Sequence, residues 1–542
     1  MQKKRVLVVG GGSAGWMAAA YLNAALNRKG QKAVDICLVE SPDIPRISVG
    51  EATIPSIRHL LSVMGIDEIE FMKATDASFK QSIKYVNWLQ KDDHAYYHPF
   101  SRNRVFPLDH SGPDWLKSDR SIPFMETASV QPGICEMGLA PKMLEKWDFG
   151  PPLSYAYHMN AQKFADYLRD LSAERGVTHI LENVVEVEMK ENGHIAAVKT
   201  RDGKRLEADL FIDCTGFAAI LIEKNLKIGF EDCSQWLLCD RAVTMHVPYE
   251  HHYPGYVRPY TTATALSAGW VWEIPLSSLK SVGYVHSSQF ISKDEAEREL
   301  RAFEGAYTDG LSARFIDFRV GRRKKAWVAN CVAIGLSGGF IEPLESTGLY
   351  LSDLAAVMLA EHFPFGDDWE PLAMRFNRIM SNRFYEILDF INMHYCLTRR
   401  TGTEFWREVG RPERVVPRLQ AKLDFWKIKP PSGQDFEDPF FPGQSGKNQR
   451  ADSHGGDMRA AIDTAGLWNH ESYECILYGM DFMSDYYREQ YGEDRPPAVV
   501  PKHVSARLRA APHKLPRHDV WLKEMVGMSE YQGPANPGSV WG

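Results

Sequence analysis

Gly10, Gly12 and Gly15 give residues 6–15, VLVVGGGSAG, a G-x-G-x-x-G spacing. Glycines so placed let the backbone turn tightly and approach an anion. The N–H groups of Ser13, Ala14 and the helix that follows then point at a pyrophosphate. Glu40 stands where an acid would accept from a ribose hydroxyl. Four apolar residues, Val6 to Val9, suit a buried parallel strand. Residues 16–27 read as the next helix, and residues 34–39 as a second strand ending at Glu40. Glycines, helix and acid together point to a dinucleotide cofactor.

Further along, other residues could do chemistry, each with a plainer reading beside it. Residues 48–55, SVGEATIP, offer small residues against which a flat ring could lie; they also suit a loop before an amphipathic helix with Ile57, Leu60, Leu61 and Met64 inward. Lys80 and Lys84 fall on one face of a strand expected over residues 79–88, and taken alone both are solvated charges. Trp270 and Trp272 share a strand face with Ile274. Beside a site they would exclude water and large groups; alone they are an aromatic core strand. Glu345 precedes Ser346, Thr347 and Gly348, whose N–H groups could meet an anion; alternatively the Ser346 or Thr347 side chain caps a helix.

The elements positioning these groups alternate between strand and helix. A helix is expected over residues 160–175, strands over 184–200 and 206–215, and a capping box at Ser292 and Glu295. Another strand is expected over 328–334 and a helix over 351–362. Residues 91–152 read as an irregular excursion outside the core. The region 369–423 reads as mostly helical, 429–457 as a loop, and 472–487 as a helix. The fold expected is α/β, with a Rossmann-type module and an additional sheet in residues 1–365, then a helical substrate-side module in 366–542.

Composition excludes several classes. With 542 residues and a formal net charge of -7, the chain carries no basic footprint for nucleic acid or anionic lipid. No run of about 20 apolar residues spans a bilayer. The eight cysteines form no C-x-x-C pair, so no metal centre is expected. A cytoplasmic protein is the expectation.

Several segments jointly resemble the flavin-dependent halogenases, the two-component family typified by tryptophan halogenases. They are GGGSAGW (residues 10–16), GEATIP (50–55), SFK (78–80), WVWEIP (270–275) and EPLESTG (342–348). The strand ending in Asp213-x-Thr215-Gly216 also resembles the second nucleotide-contacting segment of two-domain flavoproteins.

The resemblance implies a flavin monooxygenase-like fold using FAD, reduced by a separate flavin reductase, with O2 and chloride or bromide. It implies FAD contacts at Gly10, Gly12, Ser13, Ala14, Gly15, Glu40, Gly50, Glu51, Ala52, Gly216, Leu336 and Leu349. It places the halide at the N–H groups of Thr347 and Gly348. Lys80 would receive hypohalous acid through a tunnel and deliver electrophilic halogen to an aromatic carbon. Glu345 would orient that species or take the ring proton.

His98, Phe100, Trp270, Trp272 and Tyr473 are implied on the substrate side. Tryptophan-specific members use a tyrosine pair, but the corresponding stretch here reads Ser472-Tyr473. The substrate therefore stays open among tryptophan, an indole, another electron-rich arene and a larger tryptophan-containing molecule. A homodimer stays open too. A flavin hydroxylase or reductase of the same fold would not need WVWEIP or Lys80, and a non-catalytic flavoprotein would bind flavin without turning over any arene.

Overall fold

The computed structural model describes residues 3–28, 32–46, 49–90, 94–101, 111–145, 149–249, 257–305, 308–366, 368–432, 435, 467–484 and 495–528. They form two compact units interleaved along the chain. The first comprises residues 1–78, 156–233 and 318–381; the second comprises 79–155, 234–317 and 382–542.

The first unit is built on a six-stranded sheet. Its order is Trp327–Val328, Cys331–Ala333, Leu210–Asp213, Lys4–Val9, Val34–Glu40, Thr178–Leu181. All neighbours run parallel except the first pair. The apolar run Val6 to Val9 is buried, as a parallel strand covered on both faces requires. Helices Ser13–Leu26, Ala161–Glu174 and Gly348–Glu361 pack together in this unit. Val9 is in register with both Val39 and Asp213. That register brings Gly10, Glu40 and Cys214 to one end of the sheet, the carboxyl end where α/β sheets bind ligands.

The second unit centres on a seven-stranded sheet. Its order is Arg314–Asp317, Arg241–Pro248, Leu279–His286, Gly269–Pro275, Thr261–Ala265, Ser82–Val86, Ala95–Pro99. Only Thr261–Ala265 with Ser82–Val86 is parallel. Helix Lys293–Glu304 covers the face bearing Val271, Val282 and Tyr284. Ser292 and Glu295 close its capping box.

Four expectations need correction. The strand over 79–88 is two strands, Ser78–Lys80 and Ser82–Val86, because the Gln81 N–H turns to Pro259 O at 2.8 Å. The strand over 328–334 is broken between Trp327–Val328 and Cys331–Ala333, where Ala329 takes φ 49° in a tight turn. The described residues of 91–152 are not an irregular excursion: strand Ala95–Pro99 extends the sheet, and Phe124, Ile134 and Tyr96 are buried. The last helix proposed, over 472–487, spans His470–Gly479. Most of the 429–457 loop and the tail after Met528 lie outside the described residues. Among the described residues no helix is long and apolar enough to cross a membrane, and no cluster could hold a metal ion.

Candidate functional site

The glycine fingerprint divides its labour. Gly10 sits at φ 112°, and a Cβ there would meet Cys214 O at 2.2 Å. A Cβ on Gly15 would meet Gly10 O at 1.9 Å, so this glycine lets the helix pack down on the strand. Gly11 has a role the spacing alone did not give, since a Cβ would fall 1.7 Å from Glu40 Oε2. Gly12 differs from all three: among the described residues a Cβ there meets nothing within 4 Å. The open space lies at the N-terminus of a 14-residue helix, where free N–H groups favour an anion. This cradle fits a pyrophosphate. The Ser13 hydroxyl is committed elsewhere, donating to Ala161 O at 3.0 Å, which leaves its backbone N–H for a ligand.

Glu40 is buried, and Arg46 Nη2 lies 2.9 Å from its Oε2. Arg46 also meets Asp166 at 2.7 Å, so the acid is held by a bridged arginine. Nothing in residue spacing pointed to Arg46. Gly50–Ala52 pairs antiparallel with Ala156–Asn160, opposing Glu51 to Met159. Lost solvation pushes the Glu51 carboxyl up to about 7.

Asp213 accepts from Thr215 N at 3.0 Å, Thr215 Oγ1 at 2.6 Å, and Leu221 N and Ile222 N at 2.8 Å. Burial raises its pKa while these four donors oppose the rise. Its role is to shape the turn that sets Gly216 at φ 65°. Leu336 lies in the neighbouring turn Gly335–Ser337. A Cβ on Gly335 would come 2.7 Å from Ala14 Cβ, so this turn abuts the fingerprint helix.

The segment EPLESTG is more enclosed than its polarity suggests. Glu342, Glu345, Ser346 and Thr347 are all buried, and Ser346 takes φ 59°. Thr347 is the N-cap of Gly348–Glu361, whose first turn holds Leu349, but its hydroxyl caps nothing. Among the described residues Thr347 Oγ1 has no hydrogen-bond partner, and a Cβ on Gly348 would meet nothing within 4 Å. An orphaned buried hydroxyl, a helix N-terminus and open space form a second anion-ready feature of this unit.

In the second unit, Lys80 is 0 % exposed, contrary to the ordinary expectation for a lysine. Its Nζ lies 5.1 Å from the Phe100 ring centroid, within cation–π range. Lys84 is also no solvated charge, since its Nζ donates to Glu136 at 2.6 Å.

Trp270 and Trp272 are buried with ring centroids 6.3 Å apart. The indole of Trp272 lies over Gly283, where a Cβ would fall 2.1 Å from Cζ2. Among the described residues Trp272 Nε1 has no hydrogen-bond partner.

His98 and Tyr473 converge on Phe390, at ring separations of 5.5 and 4.9 Å. Trp468 stacks on the same ring at 4.0 Å. Lys422 Nζ donates to the Tyr473 hydroxyl at 3.5 Å. Phe390 lies in the region expected to be mostly helical, and Trp468 and Lys422 carry no sequence signal.

A parallel sheet whose carboxyl end presents a glycine cradle and a buried acid defines a dinucleotide-binding α/β flavoprotein fold. Residues 5–494 match the family described as Tryptophan halogenase. Tryptophan 7-halogenase RebH of Lentzea aerocolonigenes is 36% identical over 503 residues, 89% of this chain and 90% of the relative. Tryptophan 6-halogenase SttH of Streptomyces toxytricini is 36% identical, covering 81% and 86%. The crystal structure of a tryptophan halogenase from Shewanella frigidimarina superposes with TM-score 0.84 at 32% identity, covering 97% and 98%. BrvH, a flavin-dependent halogenase from Brevundimonas sp. BAL3, superposes with TM-score 0.78 at 30% identity, covering 97% and 99%. The chain belongs to the tryptophan halogenase family. It is a flavin-dependent halogenase, an oxidoreductase working with FAD, a halide ion and O2. The hydroxylase reading is not supported.

Proposed function

We propose that this enzyme halogenates an indole or tryptophan-like arene, with Lys80 and Glu345 carrying the chemistry. FAD, reduced by a separate reductase, supplies with O2 the oxidising equivalents that turn halide into hypohalous acid. Gly10, Gly12, Gly15 and the N–H groups of Ser13 and Ala14 bind its pyrophosphate, and Glu40 accepts from a ribose hydroxyl. Gly50, Glu51, Ala52, Gly216, Leu336 and Leu349 line the flavin. The N–H groups of Thr347 and Gly348, with the orphaned Thr347 hydroxyl, hold the halide.

Lys80 acts in one of two ways. It donates a hydrogen bond and a proton to the oxygen of hypohalous acid, which leaves as water as the aromatic carbon takes the halogen. Or its neutral amine forms an N–halogen bond with release of water, and the aromatic carbon then takes the halogen from nitrogen. Glu345 stabilises the cationic ring and accepts its proton. His98 and Phe100 position the arene, with Trp468 and Tyr473 enclosing it. Trp270 and Trp272 keep organic substrate from the flavin and oxidant from bulk water. The observation carrying this reading is a fully buried lysine beside an aromatic ring. The enzyme is placed in the cytoplasm.

The test incubates the protein with FAD, a generic flavin reductase, NADH, and bromide or chloride over a panel of indoles, phenols and free tryptophan. Halide-isotope-patterned indole products support the reading. Halogenation confined to phenols, or oxygenated products without halide, overturns it.

A further inference from the structure

The usefulness of a lysine that handles a diffusible oxidant depends on where its amine sits, and hence on what holds its backbone. Strand Ser78–Lys80 is only three residues long. Beyond it, Gln81 N donates to Pro259 O at 2.8 Å, and Gln81 Nε2 donates to Leu139 O at 2.7 Å. The residue just before Lys80 is held by a histidine near the other end of the chain. The Phe79 N–H donates to His518 Nε2 at 3.1 Å.

The geometry sets the tautomer of His518. Its Nδ1 lies 2.7 Å from Val257 O, which can only accept, so Nδ1 carries the proton. The Phe79 N–H can only donate, so Nε2 must offer its lone pair. The neutral Nδ1–H imidazole satisfies both, while a doubly protonated ring would set N–H against N–H. His518 is 0 % exposed. Its own backbone is fixed, with His518 N donating to Gly138 O at 2.8 Å and Ala140 N to Pro516 O at 2.9 Å.

The same C-terminal segment grips the Phe79 side chain. Its ring lies 4.5 Å from Trp521 and 4.9 Å from Tyr155. Strand alternation sends Phe79 and Lys80 to opposite faces. Amide and ring are thus clamped on one side while the amine projects from the other.

We infer that His518 is a positioning residue for Lys80, fixing the root of the lysine by accepting from the Phe79 amide. This rests on Lys80 being the residue that handles hypohalous acid. Without the acceptor, the strand loses this hold on the amide that precedes Lys80, the amine shifts from the oxidant, and hypohalous acid escapes to bulk. Flavin oxidation continues while halogenated product falls.

The experiment uses the full-length protein loaded with FAD. It compares His518→Phe, which fills the volume without the acceptor, with His518→Gln, which offers an acceptor to Phe79 and a donor to Val257. The readouts are thermal midpoint, FAD affinity, product per flavin oxidised, and halogenation of a trap arene in bulk. His518→Phe is expected to keep FAD affinity, lose about ten-fold in product per flavin, and label the trap. His518→Gln is expected to recover most of the coupling. If the Phe variant does not fold, His518→Asn replaces it, keeping a donor for Val257 but too short to reach Phe79, with the same expected loss. Wild-type coupling in His518→Phe, or no difference between the Gln and Phe variants, overturns the inference. Lys80→Ala separates the two claims: product from that variant sinks the reading of Lys80, whereas a dead Lys80→Ala beside a fully coupled His518→Phe sinks the inference alone.

Discussion

Gly12→Ala should separate cofactor affinity from stability, because Gly12 alone among the first four glycines borders open space. It sits at φ -74° and ψ -177°, a conformation alanine adopts freely, and its new Cβ meets nothing within 4 Å. Alanine is a poorer N-cap than glycine by up to about 1 kcal/mol. Reduced freedom of the unfolded chain returns about 0.4–1 kcal/mol. The apoprotein should therefore unfold within ~2 °C of wild type.

With FAD the outcome inverts. The methyl occupies space through which phosphate oxygens must approach the helix N–H groups. Losing two charge-assisted hydrogen bonds, at about 1.5–3 kcal/mol each, weakens binding by at least about 100-fold. Gly15→Ala is the contrast, since its Cβ would lie 1.9 Å from a backbone oxygen that cannot yield. That overpacking costs about 1–3 kcal/mol before any ligand is added. Calorimetric titration with FAD and thermal unfolding of the apoprotein read both effects. Retained FAD affinity in Gly12→Ala would refute the reasoning, as would a stability loss matching that of Gly15→Ala.

Three further outcomes follow from the geometry. Gly283→Ala puts a Cβ 2.1 Å from the Trp272 ring and should displace it, costing about 1–3 kcal/mol and raising leakage of oxidant to a bulk trap; unchanged leakage contradicts the barrier role. Thr347→Val keeps the shape but removes the orphaned hydroxyl, so the halide KM should rise about ten-fold with FAD affinity unchanged, as steady-state kinetics across halide concentrations would show. Burial lowers the pKa of His518 from 6.5 to about 4, so the folded protein binds fewer protons than the unfolded chain in between. Stability should therefore fall as pH drops from about 6.5 to about 4, by about 3 kcal/mol from this group, and urea titrations of His518→Gln should lack that component.

What could be read from the sequence was local. The fingerprint, the acid ending the second strand, the tryptophan strand and the capping box each announce themselves within about 30 residues, and each lies where expected. Contacts across long separations left no such mark. Asp166 holds Arg46 across 120 positions, Trp468 stacks on Phe390 from another segment, and His518 reaches Phe79 across 439 positions. Alternation misled at Gln81, because the pull of Pro259 O breaks one apparent strand into two. Residue type misled at Lys80, which is fully buried, and at Lys84, which is half-buried and paired with Glu136. The segment ending Asp213-x-Thr215-Gly216 could be read only as a resemblance, and Asp213 spends its oxygens on its own turn.

The most direct test of the central claim is product formation by Lys80→Ala under turnover with FAD, reductase, O2 and halide. The variant should bind FAD like wild type and keep consuming reduced flavin, while halogenated arene falls by at least about 1,000-fold. Halogenated product within a few-fold of wild type from that variant would contradict the account.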